Sequence, residues 1–329
     1  TVLNNKLEVI SEVVVFGNDP EIKLTPDGQN YVVLTQNNAV FIFDIFGGLV
    51  DTYCEVGGCK KVGNWRDIKI NSSSDHALFF SQENGLSLRS LTGELKFHHT
   101  YKNNYIPFGF VPNKSMFWYQ EYDKRVVFLN LIAEVLFEIN WEQLGHNGSR
   151  GILVDTSNEE KLIILDSSTN KIWIFDYTGQ LISNFTVENG ILPHGGYYQL
   201  KVASDGSCIA FSNGEYNPHS RGVYVYDLTT GKMVSKYPFK DNREYIKSLR
   251  FHQDQKTLSF VFHHAGEIQK TKALFWNLLS NNITSIFENE GDFANLRYMI
   301  FSPDEQYLIG YSSNYFYNSD SSLKIWKFK

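Results

Sequence analysis

Short apolar runs alternating with clusters of turn residues fill the whole chain, and helix-period patterning is nearly absent. From Glu21 to Tyr53 the sequence reads EIKLTPDGQNYVVLTQNNAVFIFDIFGGLVDTY. Its pattern predicts four strands: Glu21–Leu24, Tyr31–Thr35, Ala39–Asp44 and Leu49–Tyr53. TPDGQ supplies a tight turn, with Pro26 presetting φ and Asp27–Gly28 completing it. The third strand, AVFIFD, is apolar almost throughout, as a strand covered on both faces must be. A four-stranded sheet of this kind cannot hide two apolar faces alone and needs similar sheets stacked against it.

The pattern recurs. TPDGQ at Thr25 has counterparts in NSSSD at Asn71, VPNKS at Val111, TSNEE at Thr156, ASDGS at Ala203, HQDQK at His252 and SPDEQ at Ser302, spaced 40 to 50 residues apart. The third strand recurs as LSLRS, RVVFLN, KIWIFD, GVYVYD, KALFWN and LKIWK, most copies ending in a bulky residue followed by Asp or Asn. Repetition at such a period is the mark of a repeat architecture. NWEQLGH is the one place where a helical turn is expected.

SPDEQYLIGY…SLKIWKF and ASDGSCIAF…GVYVYDLTTGKMVSKY resemble blades of the WD-repeat family, in which a Ser-Pro-Asp-Gly turn joins the inner strands and a Trp-Asp pair closes the third. The resemblance covers essentially the whole chain. No repeat keeps a literal Trp-Asp, and none shows a clear Gly-His before its first strand, so the member is divergent. The resemblance implies an all-β, seven-bladed β-propeller of four-stranded antiparallel blades. The seventh unit, from Ala294 to Lys329, stops at its third strand, and Leu7–Phe16 reads as a spare strand. The N-terminal strand is therefore expected to close the last blade. Residues 1–329 are expected to form one propeller domain; a start at Thr1 without an apolar signal segment suggests excision from a longer chain.

Composition narrows the functional classes. The net charge is −6 and 15% of residues are aromatic. The acidic balance argues against nucleic acid as the partner, and no run of eighteen apolar residues exists to span a membrane. Three cysteines give no disulfide framework and no complete zinc site. Cys54 and Cys59, in CEVGGC, are expected to be reduced thiols in a cytoplasmic protein, and Cys208 a buried small apolar residue. Five N-x-S/T sequons begin at Asn71, Asn113, Asn147, Asn184 and Asn282, about what chance gives in so Asn-rich a chain.

No Walker loop, GxGxxG, HExxH, EF-hand loop or GxSxG turn is present. His98–His99 and His263–His264 are adjacent pairs whose side chains diverge on a strand. His194 lacks identifiable partners, so no metal or other cofactor is expected. The informative asymmetry is loop length. The connections between second and third strands are short in the first four units and long in the last three: NGEYNPHSRG, HHAGEIQKTK and SSNYFYNSDSS. Long loops on a rigid scaffold are where binding concentrates. Candidate binding residues are Tyr216, His219, Arg221, His264, Tyr315, Phe316 and Tyr317, with the aromatics and Arg221 as anchors of a kind enriched at interfaces. The expected role is a non-catalytic, monomeric platform or sensor domain that binds a protein partner through this loop-rich face. The alternatives are a propeller hydrolase or lyase with residues converging on the channel, or a small-ligand or glycan binder.

Overall fold

The computed structural model describes residues 7–15, 21–35, 39–54, 66–81, 84–100, 106–121, 124–145, 152–157, 160–188, 192, 199–213, 221–239, 244–264, 270–288, 296–302, 305, 307–312 and 321–328. These form seven four-stranded antiparallel sheets, the blade series of a β-propeller. Strand β1 spans Leu7–Val15. Blade one holds β2–β5 (Glu21–Leu24, Asn30–Leu34, Ala39–Asp44, Leu49–Cys54), and blade two β6–β9 (Arg66–Ile70, His76–Ser81, Gly85–Ser90, Leu95–His99). Blade three holds β10–β13 (Phe108–Phe110, Met116–Glu121, Arg125–Asn130, Val135–Asn140), followed by one 3-10 turn, Trp141–Leu144, where it was expected. Blade four holds β14–β17 (Ile152–Thr156, Lys161–Asp166, Lys171–Asp176, Leu181–Thr186), and blade five β18–β21 (Leu200–Val202, Cys208–Asn213, Gly222–Asp227, Met233–Pro238). Blade six holds β22–β25 (Glu244–Phe251, Thr257–His264, Lys270–Asn277, Asn282–Glu288). Strands β26–β28 (Leu296–Phe301, Tyr307–Ser312, Ser321–Phe328) form blade seven together with β1, in the order β1-β28-β27-β26. The N-terminal strand thus supplies the outer strand that the last repeat lacks.

Why these repeats are equivalent is visible in their hydrogen bonds. In six blades the N–H of the first turn residue donates to the carbonyl five positions on, at 2.8–3.1 Å: Thr25, Asn71, Val111, Ala203, His252 and Ser302. The recurrent Asp or Asn closing the third strand caps the next turn. Asp44 Oδ1 accepts from the N–H groups of Phe46 and Gly48, both at 2.8 Å. Asp176, Asp227, Asn130 and Asn277 take the same part in their blades. The Thr178 hydroxyl pulls the Asp176 carboxyl below its ordinary range, and the Thr230 N–H does so for Asp227. Hydrogen bonding to the charged form is the cause in both.

Four of the outer strands share a β-bulge. Val50, Lys96, Ile182 and Val234 each fall unpaired opposite the residues just before the closing Asp or its equivalent. Strand β1 skips Ile10 at the corresponding place against Ile325 and Trp326. A strand from the other end of the chain therefore reproduces the geometry of outer strands reached by a short turn. Bulges at an edge twist it away from further pairing, which protects outer strands whose first residues are exposed and apolar, as at Leu49, Val50, Leu181, Ile182, Met233 and Val234.

The strands group into two compact units, one of residues 1–118, 129–135 and 295–329 and one of 119–128 and 136–294. In the first, Ile325 of blade seven packs with Ile22, Tyr31, Val33 and Ile45 of blade one. Val32, Leu34, Val40 and Ile42 pack in turn on Ile68, Ala77 and Phe79 of blade two. In the second, blades four and five share Ile172, Ile174, Leu200, Ile209 and Phe211, and blades five and six share Val223, Val225, Leu249, Phe260 and Trp276. The apolar third strands are buried on both faces for this reason.

A turn glycine sits against the preceding blade's outer strand. Gly179 has φ +83, and a Cβ there would lie 2.7 Å from the Phe137 ring. Gly145 has a similar φ, +72, with nothing within 4 Å. Gly145→Ala is expected to cost about 1 kcal/mol from the left-handed backbone alone. Gly179→Ala should cost clearly more, because the ring must also move. Urea melts of the two variants make the comparison, and equal losses would contradict the close blade contact.

One expectation is corrected. Cys54, at the end of β5, is disulfide-bonded rather than a reduced thiol, whereas Cys208 is free and half-buried. Cys59, the remaining cysteine of the chain, lies outside the described residues.

Candidate functional site

In blades one to six the antiparallel order places the first-to-second and third-to-fourth turns at one end and the second-to-third connection at the other. The turn end is tied from blade to blade. Asp27 N–H donates to Ser74 Oγ at 3.1 Å, and Asn113 N–H to Ser72 Oγ at 3.0 Å. In the second unit Ser204 N–H donates to Gln255 Oε1 at 2.9 Å, and Lys161 Nζ to the Gly206 carbonyl at 2.9 Å. Short turns locked by such bonds leave little free backbone for a partner.

The loop end differs. In blade six β23 and β24 run eight residues each, against six for their counterparts in blade five. The longer hairpin ends at the pair His264↔Lys270, with Glu244 of β22 opposite His264. In blade five the Asn213↔Gly222 pair closes the hairpin. A Cβ at Gly222 would lie 2.5 Å from the Tyr237 carbonyl oxygen, so this position has room for glycine alone. In blade seven Ser312↔Ser322 marks the corresponding base.

Arg221 was expected as an exposed loop anchor, and the structure corrects that. It is 6% exposed, and its Nη2 donates to the Glu244 carbonyl at 2.8 Å, bonding the base of the blade-five loop to the first strand of blade six. Its own carbonyl accepts from Phe239 N–H at 3.3 Å. Elsewhere in blade five Gln199 and Ser212 exchange two bonds, Gln199 N–H to Ser212 Oγ at 2.9 Å and Ser212 N–H to the Gln199 carbonyl at 3.0 Å. His264 ends strand β23, paired with Lys270. Tyr216, His219, Tyr315, Phe316 and Tyr317 lie outside the described residues.

A charged cluster with no linear sequence motif sits at the loop end of blade three. Arg125 makes a two-pronged contact with Glu121, at 3.0 and 3.2 Å, and a 2.6 Å bond to Glu138. The bond to Glu121 raises the guanidinium pKa foremost, with Glu138 adding to it. Burial raises that of the neighbouring Tyr119 phenol. Arg125 reads in sequence only as the first residue of a strand, since its partners come from the strands on either side. His98 Nε2 meets the Asn84 carbonyl at 2.7 Å, so this histidine has a structural bond. Among the described residues no group of three or more His, Cys, Asp or Glu is placed to hold a metal ion. Among them, too, no helix is long and apolar enough to cross a membrane.

No protein-family model matches the chain, and no curated protein matches it.

Proposed function

We propose that residues 1–329 work as one propeller domain of divergent WD-repeat type, a non-catalytic platform or sensor domain that binds a protein partner through the loop end of its blades. The WD-repeat kinship is supported by the common first turn, by the Asp or Asn cap after the third strand, and by the N-terminal strand in the outer position of the last blade. The observation that carries the binding role is the build of the loop bases in blades five and six. The hairpin of blade six is lengthened, and buried Arg221 bonds the base of the neighbouring loop to Glu244. Fixing a loop at its base while leaving its side chains to choose a partner lowers the ordering cost of binding. In sequence, the second-to-third-strand connection of blade five carries Tyr216 and His219, and that of blade seven carries Tyr315, Phe316 and Tyr317, residue types that anchor interfaces. The acidic chain favours a protein over a nucleic acid as that partner.

The test is site-specific photo-cross-linking in the native cell, with benzoylphenylalanine placed at Tyr216, at Tyr315, or at Ser115 in a first-to-second-strand turn. Discrete protein adducts are expected from Tyr216 and Tyr315 and none from Ser115. Adducts from Ser115 with none from the two loops would contradict the proposed face.

A further inference from the structure

We propose that Asn184 and Asn282 carry N-linked glycans. Each begins an N-x-T sequon, Asn184-Phe185-Thr186 and Asn282-Ile283-Thr284. Asn184 lies in β17 and Asn282 opens β25, each the outermost strand of its four-stranded sheet. Both residues are exposed, and neither side-chain amide makes a hydrogen bond among the described residues. Among the described residues, nothing therefore occupies these two nitrogens against a substituent as large as a sugar.

Asn71 supplies the contrast. It too begins a sequon, but its side chain is 3% exposed. Its Nδ2 donates to Ser73 Oγ at 2.8 Å and to Asp75 Oδ1 at 2.6 Å, and its Oδ1 accepts from the N–H groups of Asp75 and His76. A glycan on that nitrogen would break the turn. Asn113 stands in a tight turn held to Ser72 and is not part of the proposal.

Two further observations agree. The disulfide at Cys54 points to an oxidising compartment, where oligosaccharide transfer to Asn takes place. The two sites also flank the exposed apolar residues of their edges, Leu181 and Ile182 beside Asn184, and Leu279 and Ile283 beside Asn282. A glycan there would cover apolar surface on an unpaired edge, which otherwise invites association. The donor class is a lipid-linked pyrophosphoryl oligosaccharide. The bond from sugar C1 to the pyrophosphate oxygen breaks, a bond from C1 to Nδ2 forms, and the amide proton leaves with the lipid pyrophosphate released.

The experiment uses protein purified from its native source without reductant. Peptide N-glycosidase digestion in heavy-oxygen water converts each glycosylated Asn to labelled Asp, read by peptide mass mapping. Label at Asn184 and Asn282 with an unchanged Asn71 peptide is the expected result. Unlabelled Asn184 and Asn282, or label at Asn71, would overturn the proposal.

Discussion

Removing Leu7–Val15 is expected to abolish cooperative folding of the last blade and to leave a chain that aggregates. Strand β1 faces β28 over eight register positions, from Leu7↔Phe328 to Val15↔Ser321. At about 1 kcal/mol net per hydrogen bond, losing the ladder costs on the order of 5 kcal/mol before any packing is counted. That is comparable with the whole stability of a typical domain, about 5–15 kcal/mol. The deletion also turns β28, with buried Ile325 and Trp326, into an open edge. Val13→Pro is a gentler variant, since it removes one N–H and fixes φ within the paired strand. It should lower the urea midpoint without deleting any residue. A deleted chain that stays monomeric and unfolds at the parent's midpoint would show that β1 is dispensable.

Arg221→Ala is expected to destabilise the protein by roughly 2–4 kcal/mol, the range for breaking a buried hydrogen bond to a charged group and emptying its space. The side chain is almost wholly enclosed and holds the Glu244 carbonyl. An exposed loop anchor would give less than about 0.5 kcal/mol instead. Urea denaturation separates the two readings. Arg221→Lys should recover only part of the loss, because a single ammonium on a flexible stem replaces a planar fork. A melt unchanged by Arg221→Ala would return this residue to the surface.

Most of the fold was legible because its signals are local and repeated. Six of the seven first turns close through the same backbone bond, and strands such as KIWIFD and RVVFLN have the bounds that their apolar runs predict. The Asp or Asn after the third strand was visible as a pattern, and its cause, capping the next turn, needed geometry. Ser74, Glu160, Gln255 and Glu305 adopt positive φ where Gly28 and Gly206 do so in other blades. Residue type hides that equivalence, since side chains rarely adopt this backbone. The bulge in four outer strands is equally hidden, because one extra residue, Val50, Lys96, Ile182 or Val234, gives no turn signal in the sequence.

The site was less legible, for physical reasons. Arg221 ends a run of turn-forming residues and reads as solvent-exposed, yet the next blade buries it, a contact between segments 23 residues apart. Cys54 follows the same logic: two cysteines five positions apart fit either redox state, and only the path of the chain decides. The Arg125 cluster draws Glu121 and Glu138 from two flanking strands, which no linear motif records.

The chain is a series of seven like blades whose last member is completed by the N-terminal strand. Paired cysteines test its register most directly. Val13 and Leu323 are Cα partners across β1 and β28, and such partners lie about 4.5–5.5 Å apart, within disulfide reach. Val13→Cys with Leu323→Cys is expected to oxidise to a single intramolecular bond, mapped by peptide mass, with the parent's unfolding transition retained or raised. Val13→Cys with Ile325→Cys, two residues out of register, should not form the bond in the folded protein. Equal cross-linking of both pairs, or cross-linking of the second pair alone, would contradict the closure of the last blade by β1.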